Sequence, residues 1–214
     1  MSAGKRKSVG SGEKVKTVVF DLGGVLFTEG KSVALEVLVR DYGYDPTVIR
    51  EVLTCPLSRD MRKGLISEKV FWSWVAGQIP QDYDAQLIRD EWYKGYALDP
   101  DVFKLVKSLK GHYRLVAFSG NIPDRVAYLN EKYRFRELFD VEVYSYDHHA
   151  GKGDPQFLEI LLTTLGERPG EILYIDDSRD ALELAEHRGL NVVFYTTGQM
   201  ENIEVAMRRL GISV

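Results

Sequence analysis

Short apolar runs alternate along the chain with longer segments in which apolar residues recur at helical spacing. Five of these runs are rich in β-branched residues and nearly continuous in apolar side chains, which is typical of parallel strands covered by helices on both faces. The predicted strands span 16–21, 113–119, 141–145, 171–176 and 191–195. Their alternation with helical segments predicts an α/β fold with a doubly wound, mainly parallel sheet.

The helices between these strands carry clear start signals. Asp99-Pro100 and Asp154-Pro155 each precede an apolar helical pattern, and Ser178 precedes another. An acidic or hydroxyl residue at the N-cap accepts hydrogen bonds from backbone N–H groups that the helix leaves unpaired, and proline suits the first turn. A glycine follows each pattern, as expected at a helix C-terminus.

The interval between the first two predicted strands is too long for a single crossover. Its residues 30–96 contain no convincing strand and three segments with helical periodicity, at 32–39, 67–78 and 84–93. We therefore expect an all-helical cap at 30–96, inserted into a core domain formed by 15–29 and 97–214. Residues 1–14 are small, polar and basic, and are predicted to form a disordered tail.

Composition narrows the functional class. The 214 residues carry a formal net charge of -4, which favours neither nucleic acid nor an anionic membrane as a partner. The single cysteine, Cys55, rules out an intramolecular disulfide and is interpreted as a packing residue. It fits a reducing compartment, and with no transmembrane-length apolar stretch and no signal-peptide core we expect a cytoplasmic protein of undefined oligomeric state.

Polar residues that could take part in catalysis or ligand binding follow several of the predicted strands. They are Asp21, Ser119, Lys152, Asp176 and Asp177. Each alone would be ordinary as a turn residue, a helix cap or a surface lysine, but the C-terminal ends of parallel strands meet at one edge of a sheet. Gathered carboxylates indicate a hard cation such as Mg²⁺, and a lysine, a hydroxyl and the backbone at Gly120 indicate a phosphate.

Four segments resemble, in order, the motifs of the haloacid dehalogenase-like hydrolase superfamily. They are VVFDLGGVLF at 18–27, LVAFSGN at 115–121, GKGDPQFLEILLTTLG at 151–166 and ILYIDDSRDALELAEHRGL at 172–190. The resemblance covers nearly the whole chain after the tail and implies a Rossmann-like core with a helical cap. MRKGLISEKVFW at 61–72 resembles the caps of the branch that contains sugar-phosphate phosphatases.

The resemblance implies a Mg²⁺-dependent phosphatase that acts on a small phosphorylated metabolite through an aspartyl-phosphate. Asp21 would be the nucleophile and Lys152 the second catalytic residue. The implied phosphate-binding residues are Ser119, Gly120, Asn121 and Lys152. The implied Mg²⁺ ligands are Asp21, the backbone carbonyl of Gly23, Asp176 and Asp177.

Two glycines depart from the pattern of this superfamily. Gly153 replaces a usual proline, which loosens a turn beside Lys152. Gly23 stands where phosphatases of the superfamily usually carry a second aspartate as acid–base, and a positioned acid–base is worth about 10²–10⁴-fold in rate. His148 and His149 are candidates to replace it, although loop histidines are more often simply exposed.

Gly23 leaves three alternatives. The first is a phosphatase that works without the usual acid. The second is a haloacid dehalogenase, since a departing halide needs no proton, although the metal-type pair at 176–177 argues against it. The third is a catalytically weak protein that binds a phosphorylated metabolite. The sequence favours them in that order.

Overall fold

In the computed structural model, which describes residues 14–213, five parallel strands form one sheet. They are β1 (Thr17–Phe20), β2 (Arg114–Ser119), β3 (Val141–Tyr144), β4 (Ile172–Asp176) and β5 (Asn191–Phe194). Their order across the sheet is β3-β2-β1-β4-β5. The predicted parallel α/β sheet is confirmed, and each strand lies within its predicted range. Residues 1–13 of the predicted tail lie outside the described part of the chain.

Eleven α-helices occur within residues 14–213. Those within residues 30–96 are α1 (Gly30–Tyr42), α2 (Pro46–Thr54), α3 (Pro56–Arg62), α4 (Glu68–Ala76) and α5 (Ala85–Lys94). The remaining ones are α6 (Pro100–Leu109), α7 (Pro123–Tyr133), α8 (Ser145–His148), α9 (Pro155–Leu165), α10 (Arg179–His187) and α11 (Met200–Arg209). Short 3₁₀ helices lie at Phe135–Leu138 and Pro169–Glu171.

The sheet is buried on both faces. Val18 and Phe20 point into a cluster shared with α1 to α7 and α11. Val19 points to the opposite face, into a cluster with α9 and α10. Alternation of side chains along a strand buried on both faces explains why the strands read as continuous apolar runs.

The predicted helix starts are found at α6, α9 and α10. Asp99 Oδ1 accepts hydrogen bonds from the backbone of Asp101 at 3.1 Å and Val102 at 3.2 Å. Ser178 Oγ accepts from the backbone of Ala181 at 3.4 Å. Asp154 also occupies an N-cap position, but its side chain makes no capping bond to α9.

The segment at 30–96 is helical throughout its regular structure, as predicted, but holds five helices rather than three. The sequence reading missed α2 and α3, which begin at Asp45-Pro46 and Cys55-Pro56. Cys55 lies at the N-cap of α3, where its sulfur accepts a hydrogen bond from the backbone of Ser58 at 3.4 Å.

The two ends of this helical segment lie side by side. The Thr28 N–H donates to the Ala97 carbonyl at 2.8 Å, and the Asp99 N–H donates to the Leu26 carbonyl at 2.9 Å. The Thr28 hydroxyl also donates to the Gly95 carbonyl at 2.6 Å. The domain boundaries at 29/30 and 96/97 stay a prediction, and this pairing is the feature that fits them. Within residues 14–213, no helix has the length and apolarity needed to cross a membrane.

The turn after β1 brings Gly24 against Asp177, which follows β4. Gly24 has a φ of +82°, a left-handed conformation that favours glycine. A Cβ on Gly24 would lie 1.9 Å from Asp177 Oδ2. Both the backbone conformation and the available space therefore require glycine at this position.

We expect Gly24→Ala to destabilise the protein more than Gly166→Ala. Gly166 shares the left-handed backbone, with a φ of +67°, but a Cβ there would meet no atom within 4 Å. The control therefore carries only the backbone cost, about 1–2 kcal/mol, which lowers the melting temperature by about 2–4 °C per kcal/mol. Thermal melting of both variants in metal-free buffer measures the difference. Equal losses would show that Asp177 yields freely and that Gly24 is not needed for its position.

Candidate functional site

A cavity of about 540 Å³ lies at the C-terminal edge of the sheet, between the core strands and the helices that follow β1. Every predicted site residue except Asp176 lines it. Asp176 is fully buried beneath the cavity, at the end of β4. The structure thus brings together the residues that the sequence placed at this edge, from segments far apart in the chain.

Three carboxylates and one ammonium form the centre of the site. Carboxylate oxygens of Asp21, Asp176 and Asp177 all lie within 4.8 Å of one another. The Lys152 ammonium contacts Asp21 Oδ2 and lies 2.6 Å from Asp176 Oδ2. Three carboxylates against one ammonium leave two negative charges when all are ionised, in a place with little access to water.

This crowding changes the protonation of the acids. Burial raises the pKa of Asp21 to about 7, with Lys152 opposing and the neighbouring carboxylates adding to the rise. Burial likewise raises the pKa of Asp177 to about 6. Burial alone would lower the pKa of Lys152, but attraction to Asp176 and Asp21 outweighs it and holds the pKa above its ordinary value. A cation bound between the carboxylates would relieve their repulsion.

Backbone and side-chain donors hold the carboxylates in place. Asp21 Oδ1 accepts a hydrogen bond from the Leu22 N–H at 2.6 Å. Asp176 Oδ1 accepts from the Ser178 N–H at 2.8 Å, and the Tyr174 hydroxyl donates to Asp176 Oδ2. The ends of β1 and β4 therefore present acids in fixed orientations, which is what a preformed ion or phosphate site requires.

Two features of Gly23 shape the site: its backbone carbonyl and its close approach to the ring of Tyr96. Within residues 14–213, no hydrogen bond donor uses the Gly23 carbonyl. A Cβ on Gly23 would lie 3.1 Å from Cε1 and 3.9 Å from the hydroxyl of Tyr96, and one on Gly30 would lie 2.2 Å from the Tyr96 ring. Both glycines therefore make room for this ring, which reaches the cavity where a side chain at position 23 would otherwise point. Burial raises the pKa of the Tyr96 phenol, so that it stays protonated at neutral pH.

The predicted phosphate-binding segment lies at the end of β2. Ser119 is buried and, with Gly120 and Asn121, lines the cavity. Asn121 Oδ1 accepts from the Arg125 guanidinium at 2.7 Å and from the backbone of Ile122 at 3.0 Å. Because both of these partners are donors, Oδ1 must face them, and the Asn121 NH₂ remains as the donor of that side chain.

The two histidines weighed as substitutes for the missing acid do not line the cavity. His149 Nδ1 lies 3.0 Å from the backbone oxygen of Lys63, at the end of α3. His148 packs against the ring of Phe157, with centroids 6.4 Å apart. Neither residue is placed to exchange a proton with a ligand at Asp21.

Sequence reasoning missed the residues that reach the cavity from the helical segment. Glu29 and Lys31 flank the start of α1, Arg59 and Arg62 lie on α3, and Tyr96 follows α5. The available signal was the spacing of Arg59 and Arg62, which puts both on one face of a helix. That signal was lost because α3 itself was not predicted.

Comparisons with known proteins agree with the fold. A family model for haloacid dehalogenase-like hydrolases matches residues 15–187. An uncharacterised protein of Dictyostelium discoideum is 37% identical over 217 residues, which cover 88% of this chain and 94% of that protein.

Solved structures share the fold at low sequence identity. A HAD-like family hydrolase from Porphyromonas gingivalis superposes with a TM-score of 0.76 at 23% identity, covering 94% of this chain and 100% of the other. A HAD family enzyme from Bacteroides thetaiotaomicron, in complex with magnesium and inorganic phosphate, superposes with a TM-score of 0.74 at 20% identity, covering 86% of this chain and 96% of the other.

An L-2-haloacid dehalogenase from Xanthobacter autotrophicus, with chloropropionic acid covalently bound, gives a TM-score of 0.64 at 18% identity and covers 94% of this chain and 85% of the other. These structures support the fold alone, whereas the family model and the Dictyostelium relative concern the sequence itself. The chain therefore belongs to the haloacid dehalogenase-like hydrolase family.

Proposed function

We propose that this protein is a Mg²⁺-dependent phosphatase of a small phosphorylated metabolite and that it works through an aspartyl-phosphate on Asp21. The observation that carries the proposal is the cluster of Asp21, Asp176 and Asp177, with Lys152 between two of them. A cytoplasmic location belongs to the same proposal and rests on the single cysteine.

The residues present fit a magnesium ion. The three carboxylates and the free Gly23 carbonyl offer only oxygen donors, which Mg²⁺ prefers. The two negative charges left uncompensated by Lys152 match the charge of one divalent cation. Burial raises the pKa values of Asp21 and Asp177, and a cation bound beside them would favour their ionised forms.

The chemistry of the chain's own residues follows from this arrangement. Asp21 would attack phosphorus, forming a bond from its carboxylate oxygen while the ester P–O bond breaks, and water would then release phosphate from the acyl phosphate. Lys152, Ser119 and the Gly120 backbone would hold the transferring oxygens. A bound Mg²⁺ supplies charge neutralisation between the nucleophile and the phosphoryl group.

The Xanthobacter structure keeps dehalogenation as the second candidate. Gly23 suits a halide, which departs without a proton. The three-carboxylate cluster favours the phosphatase, because two extra acids would only repel a carboxylate nucleophile unless a cation joined them. A catalytically weak protein that binds the same metabolite would share the site but not the turnover.

We expect Asp176→Asn to abolish most Mg²⁺ binding, because it removes a charged ligand while keeping the shape of the side chain. Asp180→Asn, an exposed acid in the first turn of α10, is the matched control and should bind Mg²⁺ as the unaltered protein does. Titration calorimetry measures both, and unchanged affinity in Asp176→Asn would refute the metal assignment.

The Mg²⁺ affinity of the unaltered protein should increase as pH rises through about 6 to 7, since protons on Asp177 and Asp21 compete with the cation. The same calorimetric titration, repeated across this pH range, measures the increase.

Beryllofluoride, which mimics an acyl phosphate, should form an adduct on Asp21 only when Mg²⁺ is present. Native mass spectrometry of the unaltered protein and of Asp21→Asn detects it. We expect the adduct in the first and its loss in the second, because an amide cannot replace the carboxylate nucleophile. An adduct that persists in Asp21→Asn would place the nucleophile elsewhere.

Gly23→Asp should restore an acid near the leaving oxygen at a cost in stability. The new side chain must displace the Tyr96 ring, and overpacking of this kind costs about 1–3 kcal/mol. Alkyl phosphates expel a basic alkoxide and gain most from a proton, so the ratio of alkyl to aryl kcat/KM should rise. Gly23→Ala is the control, because it introduces the crowding without the acid. If a folded Gly23→Asp protein kept the ratio found for Gly23→Ala, the missing acid would not explain this position.

A further inference from the structure

The side of the cavity formed by α1 and α3 is basic. Lys31, Arg59 and Arg62 line it, and we call them the cap basic group. Lys31 lies 3.6 Å from Glu29, its one carboxylate neighbour within ion-pair distance in the described chain. Across residues 14–213, neither arginine has a carboxylate within 4.0 Å; Arg59 donates to the Thr54 carbonyl and Arg62 to the Ser58 carbonyl.

The other two lysines of the cavity, unlike Arg59 and Arg62, are paired with carboxylates. Lys63 pairs with Asp154 at 2.6 Å. Lys152 contacts Asp21 and Asp176. The positive charges of Lys63 and Lys152 are therefore balanced by carboxylates of the core, whereas those of Arg59 and Arg62 are not.

Burial makes this imbalance costly. Burial lowers the pKa of Arg62, and the nearby charges of Arg125 and Arg59 lower it further. Burial also lowers the pKa of Lys31, with Arg62 adding to the effect. Arg59 is exposed, but Arg62 and Lys31 are half-buried and lose part of their hydration, so a bound anion would stabilise them.

Arg125 places a fully buried cation behind this surface. It is 1% exposed, and its guanidinium stacks on the rings of Tyr96 at 4.6 Å and Trp92 at 4.9 Å. Its Nε donates to Asn121, and its Nη1 has no hydrogen-bond partner. The region around Arg62 therefore holds more positive charge than its carboxylate, Glu29, can balance.

The backbone of Arg62 is anchored to the core. The Ser145 hydroxyl donates to the Arg62 carbonyl, and the next residue, Lys63, joins α3 to Asp154. Gly64 continues this contact, because a Cβ there would lie 2.6 Å from the Tyr146 carbonyl. These contacts hold the guanidinium over the same cavity as Asp21, with a planar fork of donors that suits carboxylate and phosphate groups.

We propose that the cap basic group binds a second anionic group of the substrate, so that the substrate is a phosphomonoester that also carries a carboxylate or another phosphate. This inference rests on the proposed function, which places the reacting phosphoryl group at Asp21. The cavity of about 540 Å³ is large enough for a small molecule with anionic groups at both ends.

Non-hydrolysable phosphonates test the proposal by binding alone. The probes are phosphonoacetate, which adds a carboxylate, methylenediphosphonate, which adds a second phosphonate, and ethylphosphonate, which has one anionic group. Titration calorimetry is run on the Mg²⁺-loaded protein. We expect one of the first two probes to bind at least about tenfold more tightly than ethylphosphonate, since charge-assisted hydrogen bonds are the strong ones. Whichever of the two binds more tightly identifies the second group.

Arg62→Gln should remove most of this preference while ethylphosphonate binds as before. Arg50→Gln is the matched control, because Arg50 is an exposed arginine of α2 that does not line the cavity. It should keep the full preference. If Arg62→Gln melts early, Lys31→Gln makes the same test from α1, and its preference should also fall.

The outcomes separate this inference from the proposed function. If ethylphosphonate binds and neither larger probe binds more tightly, the second anion site is refuted while the phosphatase proposal stands. If the preference exists but survives both Arg62→Gln and Lys31→Gln, the assignment to the cap basic group is wrong. If no phosphonate binds in the presence of Mg²⁺, the proposed function fails and the inference fails with it.

Discussion

The repulsion among three neighbouring carboxylates, two of them buried, is the constraint on which the site depends. Two unit charges 4 Å apart interact by about 4 kcal/mol at an effective dielectric constant of 20, a large fraction of the stability of a domain. Lys152 offsets part of this repulsion through Asp21 and Asp176, and backbone N–H groups offset more. Burial raises the pKa values of Asp21 and Asp177, and repulsion from the neighbouring carboxylates adds to the rise. The fold therefore maintains an arrangement that is unfavourable without a ligand, which is typical of functional sites.

The glycines of the first motif follow from the same crowding. Gly24 lets the chain turn without striking Asp177, and Gly23 leaves its carbonyl free and its face open to Tyr96. A side chain at either position would push against a group of the site. The motif has no side chains at positions 23 and 24 because the space beside Asp21 is already filled by residues that follow β4 and α5.

The parts of the molecule set by local chemistry were predictable from the sequence. Continuous apolar runs gave all five strands, and Asp99, Asp154 and Ser178 marked helix starts. The convergence of Asp21, Lys152 and Asp176 followed from the geometry of parallel strands. The Asp45-Pro46 signal before α2 was of the same kind and was overlooked, and α3, seven residues long, is too short to show a helical period.

What could not be predicted depends on contacts between distant segments. Tyr96 is adjacent to Gly23 only because the chain returns from α5 to the first strand, and no periodicity encodes that distance. Asp154 had the signature of a capping residue, yet its carboxylate contacts Lys63 instead. Competing partners from elsewhere in the fold decide such cases, and their positions are a property of the assembled tertiary structure.

The side-by-side course of the chain at Thr28 and Ala97 has a consequence for how this protein could change over generations. The helical segment leaves and re-enters the core at one point, so its two ends stay in the same place relative to the sheet whatever the length of the segment. Lengthening a loop whose ends are already joined costs little entropy, about 0.6 kcal/mol for each doubling. Insertions, deletions or wholesale exchange between these two residues would leave the strand register and the aspartates in place. Mutations in this segment can thus change which ligands enter the cavity without displacing the residues proposed to react there.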